Sequence, residues 1–176
     1  MTRIDIKDIQ HYIGRNIGTS KWMEITQSRV NKFAEATGDF QWIHVDEERA
    51  RTEMRDGHTI THNFLLLSLI PQFFDQIVTI TGLAYGKNQG AENINFLRPL
   101  ATGSKIRIQL TLSKLEHCPS KGWAATFHII MEEQASDKVV LTMDLQLLLV
   151  AAQDKCDKAG PRSVSTNHHQ PLALGL

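Results

Sequence analysis

Three stretches near the C-terminal half alternate apolar and polar residues with a strict period of two. In Lys105–Ser113, Ile106, Ile108, Leu110 and Leu112 face one way and Arg107, Gln109 and Thr111 the other. Trp123–Met131 sets Ala125, Phe127, Ile129 and Met131 on one face. Val139–Leu149 does the same with Val139, Leu141, Met143, Leu145, Leu147 and Leu149. Successive side chains of a strand point to opposite faces, so each stretch predicts a strand with one buried side. The short connections Cys118–Gly122 and Gln134–Lys138 predict hairpins. A sheet with one apolar face must lay it on something. The densest apolar segment, Phe64 through Phe74, is apolar on every side, as a helix buried all round would be. Pro71 should bend it or stand near its last regular turn.

Upstream the signals are helical. Ile6, Ile9, Tyr12 and Ile13 suit a short helix within 4–17, broken by Gly14 and Gly18. Thr26 is a good N-cap for the next helix, Val30, Phe33 and Ala34 mark its buried face, and Gly38 fits the position just past its end. Asp46 can cap a further helix from Glu47 to about Met54, and Arg55-Asp56-Gly57 reads as a turn. Ala91–Phe96 predicts an earlier strand. Helices first and an antiparallel meander second is the order of an α+β fold.

Composition narrows the function classes. The 19 basic and 19 acidic residues balance, which gives no electrostatic case for nucleic acid or an anionic membrane as main partner. No apolar run reaches the ~18–20 residues of a membrane span, and the first residues have no secretory pattern. Cys118 and Cys156 are far apart in sequence, against a disulfide scaffold or a zinc cluster. These features predict a cytoplasmic domain over residues 1–151, with a polar flexible tail over 152–176.

Chemistry concentrates in Ala36-Thr37-Gly38-Asp39-Phe40-Gln41-Trp42-Ile43-His44-Val45-Asp46. An acid and a histidine stand five residues apart in a loop containing two large aromatics. Such a pair can exchange protons near neutral pH. The alternative is that both residues only cap neighbouring turns. His58 and His62 are four apart, but no third ligand or His-Glu-x-x-His pattern accompanies them, so no metal site is expected.

The order of motifs resembles the MaoC-like family of R-specific enoyl-CoA hydratases and dehydratases, its NodN-like branch included. The resemblance rests on Phe33–Asp39, Gln41–Asp46 and Glu48-Arg49-Ala50, then Ile60–Leu65 and Leu67–Pro71, then Gly82–Gly86, Phe96–Leu100 and Gly103–Lys105. It covers about Ile9 to Val150. It implies the hot-dog fold, an antiparallel sheet wrapped round a long central helix, assembled as a homodimer. It also implies that Asp39 and His44 are catalytic and hold a water that adds to a trans-2-enoyl thioester. His62, Asn63, Ser68, Tyr85 and Gly86 would contact substrate. Coenzyme A or an acyl carrier protein would be part of the substrate, with no separate cofactor.

Two departures qualify that picture. The family usually has glycine where Asn63 stands, and asparagine in many relatives where this chain has Ala84. Residues 87–93 look like a lengthened loop. Ser68 either faces the acid/base pair or bonds back to its own helix. Tyr85 either lines an acyl tunnel or packs in the core. Lys87, Arg98, Lys105 and Arg107 either meet coenzyme A phosphates or solvate a strand edge. His62 to Phe74 contains no acid, which argues against hot-dog thioesterases and the dehydratases of fatty-acid synthesis. A non-catalytic acyl-thioester or small-molecule binding protein on the same fold is the alternative function.

Overall fold

The computed structural model describes residues 1–118 and 122–152. Its centre is the antiparallel meander. Its four long strands, β5 (Leu83–Phe96), β6 (Lys105–Cys118), β7 (Gly122–Glu133) and β8 (Lys138–Ala151), follow four short ones, β1 (Thr2–Asp5), β2 (Asn16–Thr19), β3 (Met23–Glu24) and β4 (Val78–Thr81). The main sheet runs β2-β6-β7-β8-β5, with β3 also paired to β6. The alternation predicted for β6 and β7 is realised: Ile106, Ile108, Leu110, Leu112, Ala125, Phe127, Ile129 and Met131 are all buried.

β8 departs from the prediction at its start. Val140 and Leu141 are both buried, whereas Val139 is only half-buried. Met131 pairs with Leu141 but Glu132 pairs with Val139, so one residue is extra and the face switches there. A bulge of this kind breaks period two locally. β5 is longer than the predicted Ala91–Phe96 and absorbs the supposed loop at 87–93. Its pairing with β8 shifts register at three places, and Asn93 adopts φ 51°. These irregularities obscure the alternation that would have marked it as one strand.

The helices are α1 (Gln27–Thr37), α2 (Trp42–Val45), α3 (Glu47–Glu53), α4 (Asn63–Ser68) and α5 (Ile70–Ile77). The single central helix expected from Phe64 to Phe74 is two helices that meet at Leu69. Pro71 lies in the first turn of α5, where a missing N–H is tolerated, and the break falls just before it. Nor is this segment buried on every side. Phe73 and Phe74 are fully buried, but Phe64 is 70% exposed. α5 is therefore the true core helix, and the Phe74 ring meets Phe127 of β7 edge-on with centroids 5.0 Å apart.

The N-terminal segment also differs from its helical prediction. Ile4 belongs to β1, which pairs in parallel with β4, Thr2 opposite Val78 and Asp5 opposite Thr81, and Ile6 begins the turn that follows. Only Ile9–Tyr12 coils, as one 3-10 turn. Four apolar residues fitted a helical stripe by chance, while strand pairing with β4 satisfied the backbone. Gly18 on β2 passes so close to α5 that a Cβ there would stand 3.0 Å from Ile77 Cγ2. No helix among the described residues is long and apolar enough to cross a membrane. The tail expected from 152 lies outside the described residues, apart from Ala152, whose N–H bonds Gly82 O at 2.8 Å.

The difference between the two phenylalanine environments is measurable. Phe74→Ala should destabilise the protein by about 3–5 kcal/mol through the cavity it leaves. Phe64→Ala should stay within about 0.5 kcal/mol. Urea unfolding followed by tryptophan fluorescence separates the two.

Candidate active site

The acid and the histidine are positioned by the ends of three short elements. Thr26 accepts the Arg29 N–H and starts α1. Gly38 ends it in the left-handed region at φ 76°, a conformation glycine adopts without strain, and its N–H bonds Ala34 O. The chain then turns sharply, and Asp39 Oδ1 receives the Gln41 N–H. α2 carries His44 one turn further, and Asp46 caps α3 by accepting from Arg49 N. Neither of the two large aromatics of this loop is directed to the acid and the histidine. Phe40 is exposed, and Trp42 lies beneath the Arg49 guanidinium at 4.1 Å.

His44 is buried. Its Nδ1 lies 2.6 Å from Ile60 O. A carbonyl only accepts, so Nδ1 carries the hydrogen and Nε2 is left as a bare lone pair. Burial holds the His44 ring below the usual histidine pKa. The Ile60 bond works against that shift, the nearby His62 adds to it, and Asp39 opposes it.

His62, the N-cap residue of α4, completes a three-sided cluster. Its Nε2 is 3.0 Å from Asp39 O and 3.8 Å from Asp39 Oδ2. Its ring stacks on His44 with centroids 3.8 Å apart and planes 25° from parallel, and Phe33 lies against its other side at 5.2 Å. Ligating atoms of Asp39, His44 and His62 fall within 4.8 Å of one another. Rings stacked this way are poor joint ligands, because a shared ion must lie near the plane of each imidazole. The pair His58 and His62 does not form a helical face, since α4 starts only at Asn63 and His58 is exposed.

The cluster opens into a cavity of about 670 Å³. Phe33, Ile43, Ile60 and Phe96 supply apolar wall, and Asn63 and Phe64 also border it. Pairing of Ile60 with Ala101, and the Thr61 N–H on Leu100 O, fix one wall to the segment after β5. Thr61 Oγ1, His62 Nδ1 and Arg98 Nε are buried without a hydrogen-bond partner, and all three residues line this cavity. Unmet polar atoms gathered in one wall are groups that a water or ligand in the cavity would satisfy.

The remaining sequence candidates lie elsewhere. Ser68 donates to Leu65 O at 2.7 Å, one turn back in its own helix, and is not part of the cavity wall. Tyr85 and Gly86 sit on β5 outside the cavity, with Tyr85 exposed. Arg107 pairs with Glu132 and lies over Trp22. Lys87 and Lys105 are exposed. Of the four cations considered, Arg98 alone borders the cavity. Sequence reasoning missed Phe33, Ile60 and Thr61 as wall residues. Phe33 was legible only as helix core, and Ile60 acts through its carbonyl, which no side-chain pattern reveals.

Residues 8–123 match the MaoC like domain family. The chain belongs to that family. A MaoC-like relative, 3-hydroxyacyl-thioester dehydratase Z of Mycobacterium tuberculosis, is 38% identical over 133 residues, covering 76% of this chain and 87% of the relative. Nodulation protein N of Rhizobium leguminosarum is 33% identical over 143 residues, covering 81% and 89%. Among solved structures, the unliganded R-hydratase PhaJ1 of Pseudomonas aeruginosa superposes with a TM-score of 0.63 at 19% identity, over 84% of this chain and 91% of that one. The (R)-hydratase from A. caviae gives 0.61 at 20% identity, over 75% and 94%. The MaoC-like chain thus has the α+β hot-dog fold, with α5 as the helix the sheet wraps.

Burial of His44 makes this MaoC-like domain sensitive to acid. A histidine with a lowered folded pKa gains protons more readily when unfolded, so stability is full above the unfolded value of about 6.5 and falls as pH drops below it. Lowering pH from 7.5 to 5.5 should therefore cost the native protein more unfolding free energy than it costs His44→Gln. Parallel urea titrations at the two pH values measure that difference.

Proposed function

We propose that the protein hydrates trans-2-enoyl thioesters and, in reverse, dehydrates R-3-hydroxyacyl thioesters, with Asp39 and His44 as the catalytic pair. The protein is a hydro-lyase. The observation that carries this reading is the convergence of the Asp39 carboxylate and the buried, neutral His44 on one cavity, with the His44 tautomer fixed by Ile60 O.

Hydration needs a base that is unprotonated at neutral pH and placed where water can stand. His44 Nε2 meets the first need through burial and the second through its tautomer. Asp39, half exposed at the same opening, supplies the second hydrogen-bond acceptor that such a water requires. As the water oxygen bonds to the β-carbon, the pair takes one of its protons. The α-carbon receives one proton from the pair, so the site ends in its starting state. Charge that develops on the thioester oxygen needs donors already in place. The main-chain N–H groups of Asn63 and Phe64, at the first turn of α4, have no acceptor among the described residues. Asn63 keeps the N–H that the family's glycine would offer, while its side chain narrows the approach.

Coenzyme A or an acyl carrier protein enters as part of the substrate, and the reading invokes no metal. The relatives support this substrate class by name: one is a 3-hydroxyacyl-thioester dehydratase and two solved neighbours are R-hydratases. A homodimer fits the same reading. β5 is an open edge of the sheet, and Tyr85 and Ile94 on it are exposed. A bare edge invites pairing with a second strand.

Crotonyl-CoA hydration, followed by loss of enoyl absorbance, tests the assignment. Asp39→Asn and His44→Ala should each lower kcat by about 10²–10⁴-fold, the range of a lost general acid or base, with an unchanged circular-dichroism spectrum. Tight acyl-CoA binding without turnover by the native protein would instead favour the reading of a binding protein, for which the Asn63 side chain at the cavity is the supporting feature.

A further inference from the structure

His44 is held from two directions, and only one of the tethers belongs to the cavity. Ile60 O takes the ring Nδ1 hydrogen. On the opposite side of the histidine, the Gln27 side chain on α1 donates from Nε2 to His44 O at 2.7 Å and to Asn31 Oδ1 at 2.8 Å. Gln27 Oε1 accepts the buried Thr59 hydroxyl at 2.5 Å. The orientation of this amide is fixed by its partners: a main-chain carbonyl only accepts, so the NH₂ group must face His44. Thr59 immediately precedes Ile60, the residue that sets the His44 tautomer, and its main-chain O takes the Thr102 N–H. One amide therefore fastens both ends of the His44–Ile60 contact to α1.

We propose that Gln27, braced by Thr59, is the positioning residue that holds His44 and the Ile60 carbonyl in register, so that Nε2 remains the bare nitrogen facing the cavity. Gln27 does not border the main cavity and touches no substrate. It lines a separate polar cleft behind His44, together with Thr59. The inference rests on the hydratase reading for its kinetic consequence but not for its structural one. Without the brace, the two segments keep only the Ile60 N–H bond to Ile43 O as a main-chain tie, and the ring samples the other tautomer. A displacement of about 1 Å at a reacting group can cost about 10²-fold in rate.

The test uses Gln27→Met, which keeps the length but not the bonds, Gln27→Glu, and Thr59→Val. Gln27→Met should lower kcat for crotonyl-CoA by about 10- to 100-fold with KM within about twofold, since positioning and not binding is lost. The Gln27→Met/Thr59→Val double variant should lose little beyond the single, because both act through one amide. Ring ¹⁵N shifts of His44 give a readout independent of turnover: a single Nδ1–H tautomer in the native protein, and a mixture in Gln27→Met. Gln27→Glu sets a carboxylate oxygen against the His44 carbonyl and should move the His44 titration to higher pH. The groups around that titration are Asp39, His62 and Arg98 on the cavity side, and Glu24, Glu47, Arg51 and His58 on the cleft side, all retained in the variants.

A folded Gln27→Met protein with native kcat and a native His44 tautomer overturns the proposal. Should Gln27→Met fail to fold, the tautomer and titration of Gln27→Glu decide it, and an unmoved His44 signal there overturns it equally. Native protein that leaves crotonyl-CoA unhydrated beside an active control hydratase defeats the hydratase reading alone, while the ¹⁵N spectra still judge the brace.

Discussion

The molecule depends on one apolar contact layer, the inner face of β6, β7 and β8 laid over α5. Phe73, Phe74, Ile70 and Ile77 of the helix are buried, and so are the facing residues from Ile106 to Leu149 along the strands. Each fully buried side chain of this size contributes roughly 1.5–3 kcal/mol. α4 adds Leu65 and Leu66 to this layer while its first turn, with Phe64 exposed, borders the cavity. The two helices meet at Leu69, just before Pro71, whose ring a continuous helix accommodates only with a kink.

The site in turn obtains its chemistry from backbone groups. Burial alone would leave His44 neutral but free to rotate and to change tautomer. The Ile60 carbonyl removes that freedom. It is available because Ile60 and Ala101 pair, and the Ile60 N–H itself bonds Ile43 O at 2.9 Å. His62 adds a flat partner for the His44 ring and a tie to the Asp39 main chain. With Nε2 of His62 given to a carbonyl, this ring stands between Asp39 and His44. Its Nδ1 is left without a hydrogen-bond partner among the described residues.

How much of this could be read in the sequence follows from which atoms carry the information. Side-chain periodicity exposed β6, β7 and most of β8, because one face of each is buried and the other is not. It failed at Val140 and along β5, where bulges shift register and neither face is deeply buried. It misread Ile4–Ile17, since three isoleucines and a tyrosine happen to fit helical spacing, and only a distant partner, β4, reveals that the segment begins as a strand. Helix ends were legible at Thr26, Gly38 and Asp46 because capping is a local side-chain event. Asp39 and His44 were found through their motif. Ile60, Thr61 and Gln27 were not, since they act through a carbonyl, a cavity wall and an amide bond to main chain. Such roles leave no pattern in one sequence.

Asn63 can be weighed against this background. A glycine at the first turn of α4 would leave open space in front of two free N–H groups. Here the side chain stands in that space, exposed and bordering the cavity. The backbone donors are unaltered by the exchange, because an N–H belongs to every residue except proline. Under the proposed hydratase reading, what changes is the room for the thioester, and with it the class of acyl group that fits rather than the arrangement of Asp39 and His44 behind it. Asp39, His44 and His62 are held by bonds that do not involve Asn63. The contacts that hold Asp39 and His44 are thus separate from those that shape the opening, so under the proposed reading a substitution at the opening alters the acyl group that fits without loosening the pair.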